Sequence, residues 1–196
     1  MSSERRHLTS PTELRALSHP TRLTLLALLD EEGPLTATQA GERIGESPAN
    51  ASFHLRTLAR YGYVEEAPGG RGRQRPWQAV RQASHIPGDE LSAEAKLAAD
   101  ALLELIRDRD NDRLRAYSRT RSDYPKEWRE AATEIRMSLH LSAAELAELG
   151  EQIESLIQPY IERDKRRAGT APVAFGLFAV PTRVPDDEDE GEGDRR

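Results

Sequence analysis

The stretch that most constrains the fold of this chain is residues 35–80, which has the pattern of two short helices followed by a hairpin. Thr36 and Gln39 have the T-x-x-Q spacing of a capping box, so a helix is expected to begin directly after Thr36. Gly45 ends that helix after roughly two and a half turns. Ser47 is placed to cap the next helix, whose first residue is a proline. The spacing therefore predicts two helices joined by a tight turn.

The second helix, predicted over residues 47–61, has one apolar and one polar face. Ala51, Leu55 and Leu58 recur at helical spacing and form the inner face. The side chains left on the outside are mostly polar, which is the arrangement of a helix-turn-helix with a polar recognition face. By helical phase, the outward residues are Ala49, Asn50, Ser52, Phe53, Arg56 and Arg60.

A basic hairpin is predicted directly after that helix. Residues 63–66 and 77–80 have strand composition, and the glycine-rich loop between them is rich in arginine. Guanidinium groups on such a tip suit phosphates or a narrow minor groove. The alternative is an ordinary surface hairpin that carries arginines, but its position behind two capped helices favours nucleic-acid contact. The arginines of this loop are Arg71, Arg73 and Arg75.

The charge distribution places the acidity of the chain outside these helices. The chain has 196 residues, of which 37% are hydrophobic, and a formal net charge of -6. Residues 1–85 hold 11 basic and 9 acidic groups (+2), residues 86–185 hold 15 and 18 (-3), and residues 186–196 hold 2 and 7 (-5). A local basic patch, and not the global charge, steers a protein toward DNA.

Several classes of protein are disfavoured by what the sequence lacks. With no cysteine, disulfides and thiolate metal sites are excluded. No stretch approaches the roughly 18 apolar residues of a membrane helix, and the N-terminus lacks a signal-peptide core, so a soluble cytoplasmic protein is expected. The histidines are scattered and no glycine-rich phosphate loop follows a strand. We therefore expect no enzymatic activity, no cofactor and no metal.

Two further helices are predicted before the helix-turn-helix. Residues 12–17 can form a short helix that ends at His19, because the residue before a proline avoids the α region. Residues 21–31 are leucine-rich on nearly every side, which predicts a buried central helix. Residues 1–10 are expected to be frayed.

Together these segments resemble the ArsR/SmtB family of winged-helix repressors. The resemblance lies in LRALSHPTRLTLLALL, in TATQAGERIGESPANASFHLRTLARYGYVEEA and in the arginine-rich wing, and it covers residues 12–80. It implies a homodimeric DNA-binding regulator, usually a repressor that releases its operator when an effector binds. Metal-sensing members use cysteines, or histidines and carboxylates on the last helix. The chain has no cysteine and its helix from residue 91 has no histidine, so metal sensing is not expected.

The resemblance also implies which residues contact double-stranded DNA. Asn50 would bond adenine N6 and N7 together, or serve the helix cap. Phe53 would touch a thymine methyl or pack against the wing, and His54 would contact a phosphate or pack internally. The predicted DNA-binding residues are Thr38, Gln39, Ser47, Pro48, Ala49, Asn50, Ser52, Phe53, His54, Arg56, Arg60, Arg71, Arg73 and Arg75.

The region after the wing begins with a predicted dimerisation helix. Apolar residues recur there with a 4-3-4-3 spacing from Leu91, which makes a short seam suited to a partner helix. By resemblance, the partner is the same helix of a second subunit together with its N-terminal helix. The alternative is packing onto its own domain, for which Leu97, Leu103 and Ile106 offer a second face. The predicted dimer-interface residues are Leu14, Leu17, Leu91, Ala95, Ala98, Leu102 and Leu105.

An accessory strand–helix–strand unit is predicted next. Residues 134–141 and 173–180 have strand patterns, and Ser142 and Glu145 form a capping box for the helix between them. A pocket beside this unit could hold a small, largely apolar organic effector. The alternative is that its aromatic side chains fill a small core of their own.

The predicted fold is mainly α with a small β wing, a winged helix-turn-helix domain followed by helical dimerisation and accessory regions. The predicted function is a sequence-specific transcriptional regulator, a homodimeric repressor with its recognition helix in the major groove and its wing on the backbone or minor groove. The alternative is a winged-helix protein-interaction module, which the outward Phe53 and the acidic tail would fit. The predicted parts are 11–85 (winged helix-turn-helix), 86–131 (dimerisation), 132–183 (accessory) and 184–196 (disordered tail).

Overall fold

The helices and the wing that the sequence predicts are present in a computed structural model, which describes residues 6–70, 75–80, 84–86, 91–161, 163 and 167–184. This part of the chain is mostly helical with small two-stranded sheets. It divides into two units, Met1–Ser118 and Arg119–Arg196. In chain order the elements are β1 (Arg6–His7), α1 (Pro11–Leu17), α2 (Pro20–Glu32), α3 (Ala37–Ile44), α4 (Pro48–Arg60), β2 (Val64–Glu66), β3 (Trp77–Ala79), β4 (Ser84–His85), α5 (Ala93–Thr120), a 3-10 turn (Arg121–Asp123), α6 (Lys126–Ala131) and α7 (Ala143–Ile161).

The helix-turn-helix begins and turns at the capping residues that the sequence indicates. Thr36 Oγ1 accepts a hydrogen bond from the Gln39 N–H at 3.2 Å, and Gln39 Oε1 accepts one from the Thr36 N–H at 2.9 Å. Gly45 ends α3 in the left-handed conformation, with φ of 73°. Ser47 Oγ then accepts from the Asn50 N–H at 3.2 Å and caps α4. The predicted α3 and α4 are thereby confirmed.

One apolar core holds the first unit together around α2. Leu25 and Leu29 of that helix are 0% and 3% exposed, and its remaining leucines are partly buried against the same core. Leu55 and Leu58 of α4 are fully buried beside them. Each such leucine contributes roughly 1.5–3 kcal/mol when it is removed from water. The inner face of α4 is therefore fixed, and its opposite face is left toward solvent.

The first half of α5 packs into this same core, on the face predicted to be a dimer seam. Ala95 and Leu102 are 0% and 1% exposed within a single chain, and Leu14 of α1 is 0% exposed. A side chain that its own subunit already covers has no apolar surface left for a second subunit. Within one chain these residues therefore take the alternative arrangement, packing onto their own domain, and their assignment to a partner helix stays a prediction. The buried members are Leu14, Leu17, Leu91, Ala95, Ala98 and Leu102, and only Leu105 is partly exposed.

The face of α5 that the sequence assigned to its own domain is instead the more exposed one. Leu97 is 74% exposed and Ile106 is 37% exposed. Leu103 is partly buried. The periodicity identified both apolar faces but could not indicate which one the first unit covers.

The wing is an antiparallel hairpin joined to the start of the helix-turn-helix. Val64 of β2 lies opposite Ala79 of β3, and Glu66 lies opposite Trp77. Trp77 also exchanges two backbone hydrogen bonds with Leu35, at 3.0 Å and 2.7 Å. The base of the wing is therefore tied to the residue that precedes the α3 cap.

The N-terminal arm is ordered from Arg6 onward, although the sequence predicted fraying up to residue 10. Arg6 and His7 form β1, which pairs in parallel with β4. Leu8 is 2% exposed and belongs to the main core. Burial of that leucine and the strand pairing explain why the arm is held. Residues 1–5 lie outside the described residues.

The second unit contains the predicted capped helix but not the predicted strands. Ser142 Oγ accepts from the Glu145 N–H at 3.2 Å at the start of α7. Residues 132–142 and 170–181 form neither helix nor strand, which corrects the strand–helix–strand prediction for the single chain. A lone pair of strands is marginally stable at best, because it lacks a third strand or a covering layer.

Replacing Gly41 by alanine should destabilise the first unit. A Cβ at this position would lie 2.7 Å from the Glu46 carbonyl oxygen, in the backbone of the turn between α3 and α4. Because backbone cannot move aside cheaply, we expect a loss of about 1–3 kcal/mol in the free energy of unfolding, measured by urea denaturation of the full chain.

Gly150→Ala is the matched control for that experiment. Gly150 also lies within a helix, but a Cβ there meets nothing within 4 Å. It should leave the unfolding of the first unit unchanged. Equal effects of the two variants would show that the close approach at Gly41 does not constrain the turn.

Candidate nucleic-acid interface

The turn between α1 and α2, with the sequence SHPTR, contains two capping contacts, one at the end of α1 and one at the start of α2. His19 Nδ1 accepts a hydrogen bond from the Thr21 N–H at 3.2 Å and caps the N-terminus of α2. The Arg22 guanidinium donates to the last carbonyls of α1, those of Arg15 at 3.0 Å and of Ala16. Such contacts satisfy groups that a helix end leaves unpaired. This motif therefore has a structural role in the chain.

His54 lies on the buried side of α4, and its side chain is not on the solvent-exposed face of that helix. Its side chain is 5% exposed, and its ring centroid lies 4.5 Å from that of His19. Nδ1 of His54 has no hydrogen-bond partner among the described residues. This burial supports the packing alternative for His54, and its contact with a DNA phosphate stays a prediction.

Burial is the main cause of the lowered pKa values of His19 and His54. Burial lowers the pKa of His19, and the neighbouring Arg22 cation lowers it further. Burial likewise lowers the pKa of His54, with His19 and Arg22 adding to the effect. The Glu46 carboxylate opposes the shift in both residues. Both rings therefore favour the neutral form.

The solvent face of α4 contains most of the residues that the sequence assigned to DNA contact. Phe53 is 62% exposed at its centre. Arg56 is exposed and donates to Ser52 Oγ at 2.8 Å, while Arg60 makes no ion pair with the described residues. This face presents amide, hydroxyl, aromatic and guanidinium groups together. Exposed members of the predicted set are Thr38, Gln39, Ser47, Pro48, Ala49, Phe53, Arg56 and Arg60, and partly exposed members are Asn50 and Ser52.

A carboxylate fixes the orientation of the Asn50 amide. Asn50 Nδ2 donates to Glu46 Oε2 at 2.7 Å, one helical turn back along the chain. Because an ionised carboxylate only accepts hydrogen bonds, the atom facing Glu46 must be the amide nitrogen. The amide oxygen and one N–H of Asn50 remain outside this bond, which is the donor–acceptor pair that adenine requires.

In the wing, Arg75 forms an ion pair with Glu66. Arg75 Nη1 lies 2.6 Å from Glu66 Oε2, and both side chains are about half exposed. The hydrogen bond and the charge of Glu66 raise the pKa of Arg75. A phosphate that binds Arg75 must therefore compete with Glu66. Arg71 and Arg73, the other predicted contacts on this tip, lie outside the described residues.

Arg6 joins the end of α4 to α1, and the sequence analysis did not identify it. Its guanidinium donates to the Tyr61 carbonyl, lies 2.5 Å from Glu13 and lies over the Tyr63 ring at 4.4 Å. Burial and a hydrogen bond from the Tyr63 hydroxyl to Glu13 raise the pKa of that phenol well above its ordinary value. The C-terminal end of the recognition helix is therefore fixed by the arm.

Glu46 and Arg6 were not predicted from the sequence, and only Glu46 lies in a local pattern that could have indicated its contact. Glu46 lies four positions before Asn50, a spacing at which side chains on consecutive turns meet, so the pair could have been found. Arg6 and Tyr61 are separated by 55 positions, and no local pattern brings them together.

Two kinds of feature are absent from the part of the chain that the structure describes. No group of three or more histidine, aspartate or glutamate side chains could hold a metal ion there. None of the described helices is long and apolar enough to cross a membrane.

Comparison with known proteins places the matched region on these same helices. A family model described as a helix-turn-helix domain matches residues 17–66. No curated protein matches the chain. Among solved structures, a MarR family protein of Mycobacterium tuberculosis in complex with salicylic acid is similar, with 19% identity, a TM-score of 0.29, and coverage of 76% of this chain and 87% of that one.

The family match shows that residues 17–66 carry a helix-turn-helix domain. It spans α2, α3, α4 and β2. The narrower resemblance to the ArsR/SmtB family stays a prediction. The matching solved structure adds no functional detail, because its TM-score is low.

The first unit should lose stability as the pH falls below the ordinary histidine pKa of 6.5. The folded pKa values of His19 and His54 are lowered, so the unfolded chain takes up protons first. Their contribution is complete above pH 6.5 and is lost as the pH falls through the folded values. Urea denaturation from pH 7.5 to 5 would measure this dependence.

His19→Asn should reduce that pH dependence, since asparagine also caps a helix but does not titrate in this range. His140→Asn, which changes an exposed histidine of the second unit, is the control and should leave the dependence as it is. An identical pH dependence in wild type and His19→Asn would contradict this role of His19.

Proposed function

We propose that this protein is a homodimeric repressor that binds double-stranded DNA at an imperfect inverted repeat. The recognition helix, residues 47–61, enters the major groove, and the wing, residues 68–75, lies on the backbone or in the minor groove. The proposal includes no catalytic step and no cofactor. It keeps the ArsR/SmtB-like mode of action that the sequence resemblance implies.

The observation that supports this most is the outward face of α4. Its apolar side is locked into the core by Ala51, Leu55 and Leu58, each 0% exposed. The opposite side is exposed, and its N-terminal half carries small and polar groups that permit close approach to bases. Arg56 and Arg60 follow on the next turns, where they can reach phosphates.

Asn50 is the proposed base-reading residue and Glu46 its positioning residue. The hydrogen bond of 2.7 Å between them leaves the amide oxygen and one N–H of Asn50 to pair with adenine N6 and N7. A preset amide also has less conformational freedom to lose on binding. Glu46 is negative, so it disfavours approach of a phosphate at this place and favours a base edge.

The two-fold arrangement follows from the symmetry of DNA sites. Two recognition helices of a dimer lie about 34 Å apart when they enter successive major grooves on one side of the duplex. If a small-molecule effector releases the operator, it must bind better to an arrangement that departs from this spacing, because equal affinity for both arrangements shifts nothing.

An alternative function rests on Phe53. A large aromatic side chain that is 62% exposed at the centre of the outward face would also suit a protein partner. Phe53→Ala separates the two functions. If Phe53 contacts DNA, Phe53→Ala lowers affinity only for sites with thymine at the contacted position, because the contact with the thymine methyl is lost.

A footprint on the promoter region of the protein's own gene tests the proposed function. Specific binding should exceed binding to random DNA by at least about 10³-fold at physiological salt. Binding no tighter than to random DNA, on this region and on sites selected from a random library, would contradict the proposal.

Replacing Arg71, Arg73 and Arg75 together by alanine should flatten the salt dependence of DNA binding. Each phosphate contact that is lost reduces the slope of log affinity against log salt by about 0.9. Affinity should fall similarly on all sequences, since phosphate contacts carry no base information. Fluorescence anisotropy at several salt concentrations gives the slope.

The matched control removes three positive charges from the second unit, at Lys126, Arg129 and Arg136. It changes the net charge equally but should leave the slope unaltered. If both triple variants change the slope alike, the effect is one of overall charge and the wing does not contact DNA.

A further inference from the structure

Two segments of the second unit have the sequence pattern of strands but carry unpaired backbone groups. Residues 133–141 and 171–181 make no backbone–backbone hydrogen bond within the described part of the chain. An extended backbone with free N–H and C=O groups is a template for strand pairing. Their neighbour α7, in contrast, has its own capped and hydrogen-bonded structure.

The same two segments expose most of the large apolar side chains of the unit. Met137 is 68% exposed, Phe175 70% and Phe178 88%. None of the described residues from 119 onward falls in the buried class. A unit without a core gains too little from burial to balance the conformational entropy of folding. The exposed side chains are Ile135, Met137, Leu139, Leu141, Val173, Phe175, Leu177, Phe178 and Val180.

The apolar area matches what a stable dimer requires. If each of these nine side chains loses on the order of 100 Å², well below the 150–250 Å² that one aromatic residue buries, one copy contributes roughly 900 Å². Two copies then bury about 1,800 Å², within the range of about 1,200–2,000 Å² for specific protein interfaces.

The strand count indicates that the partner is a second copy of this chain. One copy supplies two segments, and a two-stranded sheet is marginal in water. Two copies supply four segments, which meets the minimum of three or more strands with an apolar face that a stable sheet needs. An identical chain brings the missing strands in fixed number, whereas an unrelated partner would have to supply matching ones.

The side-chain pattern assigns each segment its place in such a sheet. Residues 173–180 are apolar at nearly every position, which favours a place inside the sheet over a place at its edge. Residues 134–141 alternate apolar side chains with Arg136, Ser138 and His140, which suits an edge strand that has one face toward water.

We propose that residues 173–180 of two copies pair antiparallel across a two-fold axis, flanked on each side by residues 134–141. The resulting four-stranded intermolecular sheet holds the homodimer. This inference rests on the proposed homodimer, but it concerns the second unit and is measured without DNA. Failure of the sheet leaves the DNA-binding proposal intact, and failure of the footprint leaves the sheet intact.

Charged substitutions at Leu177, near the middle of the central segment, test the proposal. Leu177→Glu and Leu177→Lys should each raise the dimer dissociation constant at least about thirtyfold, as for a central interface residue. An equimolar mixture of the two variants should restore association, because opposite charges then meet near the axis. Light scattering of the full chain across a concentration series measures association of each variant alone and of their mixture.

Leu97→Glu is the control, since Leu97 is 74% exposed on α5 of the first unit. It should leave the dimer intact. A dimer that survives Leu177→Glu but dissociates in Leu97→Glu would overturn the proposal and place the interface on α5. Failure of the mixture to associate, while thermal unfolding of the first unit stays unchanged, would also overturn it.

Hydrogen exchange gives a second, substitution-free measurement. Amide protection of residues 134–141 and 173–180 in the wild-type chain should rise with protein concentration in step with the dimer fraction. Protection that is independent of concentration down to the monomer would show pairing within one chain. A dimer with no protection in either segment would contradict the sheet directly.

Discussion

The contact between Gly41 and the turn that follows α3 is the constraint on which the interface depends. The Glu46 N–H donates to the Gly41 carbonyl at 2.8 Å, and the Glu46 carbonyl passes so close that no Cβ fits at Gly41. This approach sets the angle between α3 and α4, and Ser47 then starts α4 at once. With the inner face of α4 buried, the angle decides which residues are presented outward.

Carboxylates lie beside two of the proposed DNA contacts, in a chain with a net charge of -6. Glu46 holds the Asn50 amide and Glu66 holds the Arg75 guanidinium. Each carboxylate keeps its partner ordered before binding, and each weakens nonspecific attraction to phosphate. In the proposed complex, affinity for DNA would then depend more on base contacts and less on charge. The overall acidity comes from segments outside the helix-turn-helix.

Local rules predicted the helix-turn-helix well, because a capping residue acts within four positions of itself. Thr36, Gly45 and Ser47 each lie where the sequence places a helix boundary. Local rules did not predict which surfaces of the helices contact one another. The two apolar faces of α5 were both visible, but which one meets the core depends on contacts with α1, about eighty positions away. The inward position of His54 likewise involves His19, a residue 35 positions earlier that caps α2.

Base-level selection from a randomised DNA library measures the central claim most directly, that Asn50 reads a base from a preset orientation. The wild-type chain should select a site with one required adenine per half-site. Asn50→Ala should lose discrimination at that position by about 1–3 kcal/mol and keep the rest of the site. Glu46→Gln should weaken the same preference only in part, since glutamine still accepts a hydrogen bond. An unchanged selected site in Asn50→Ala would contradict the account.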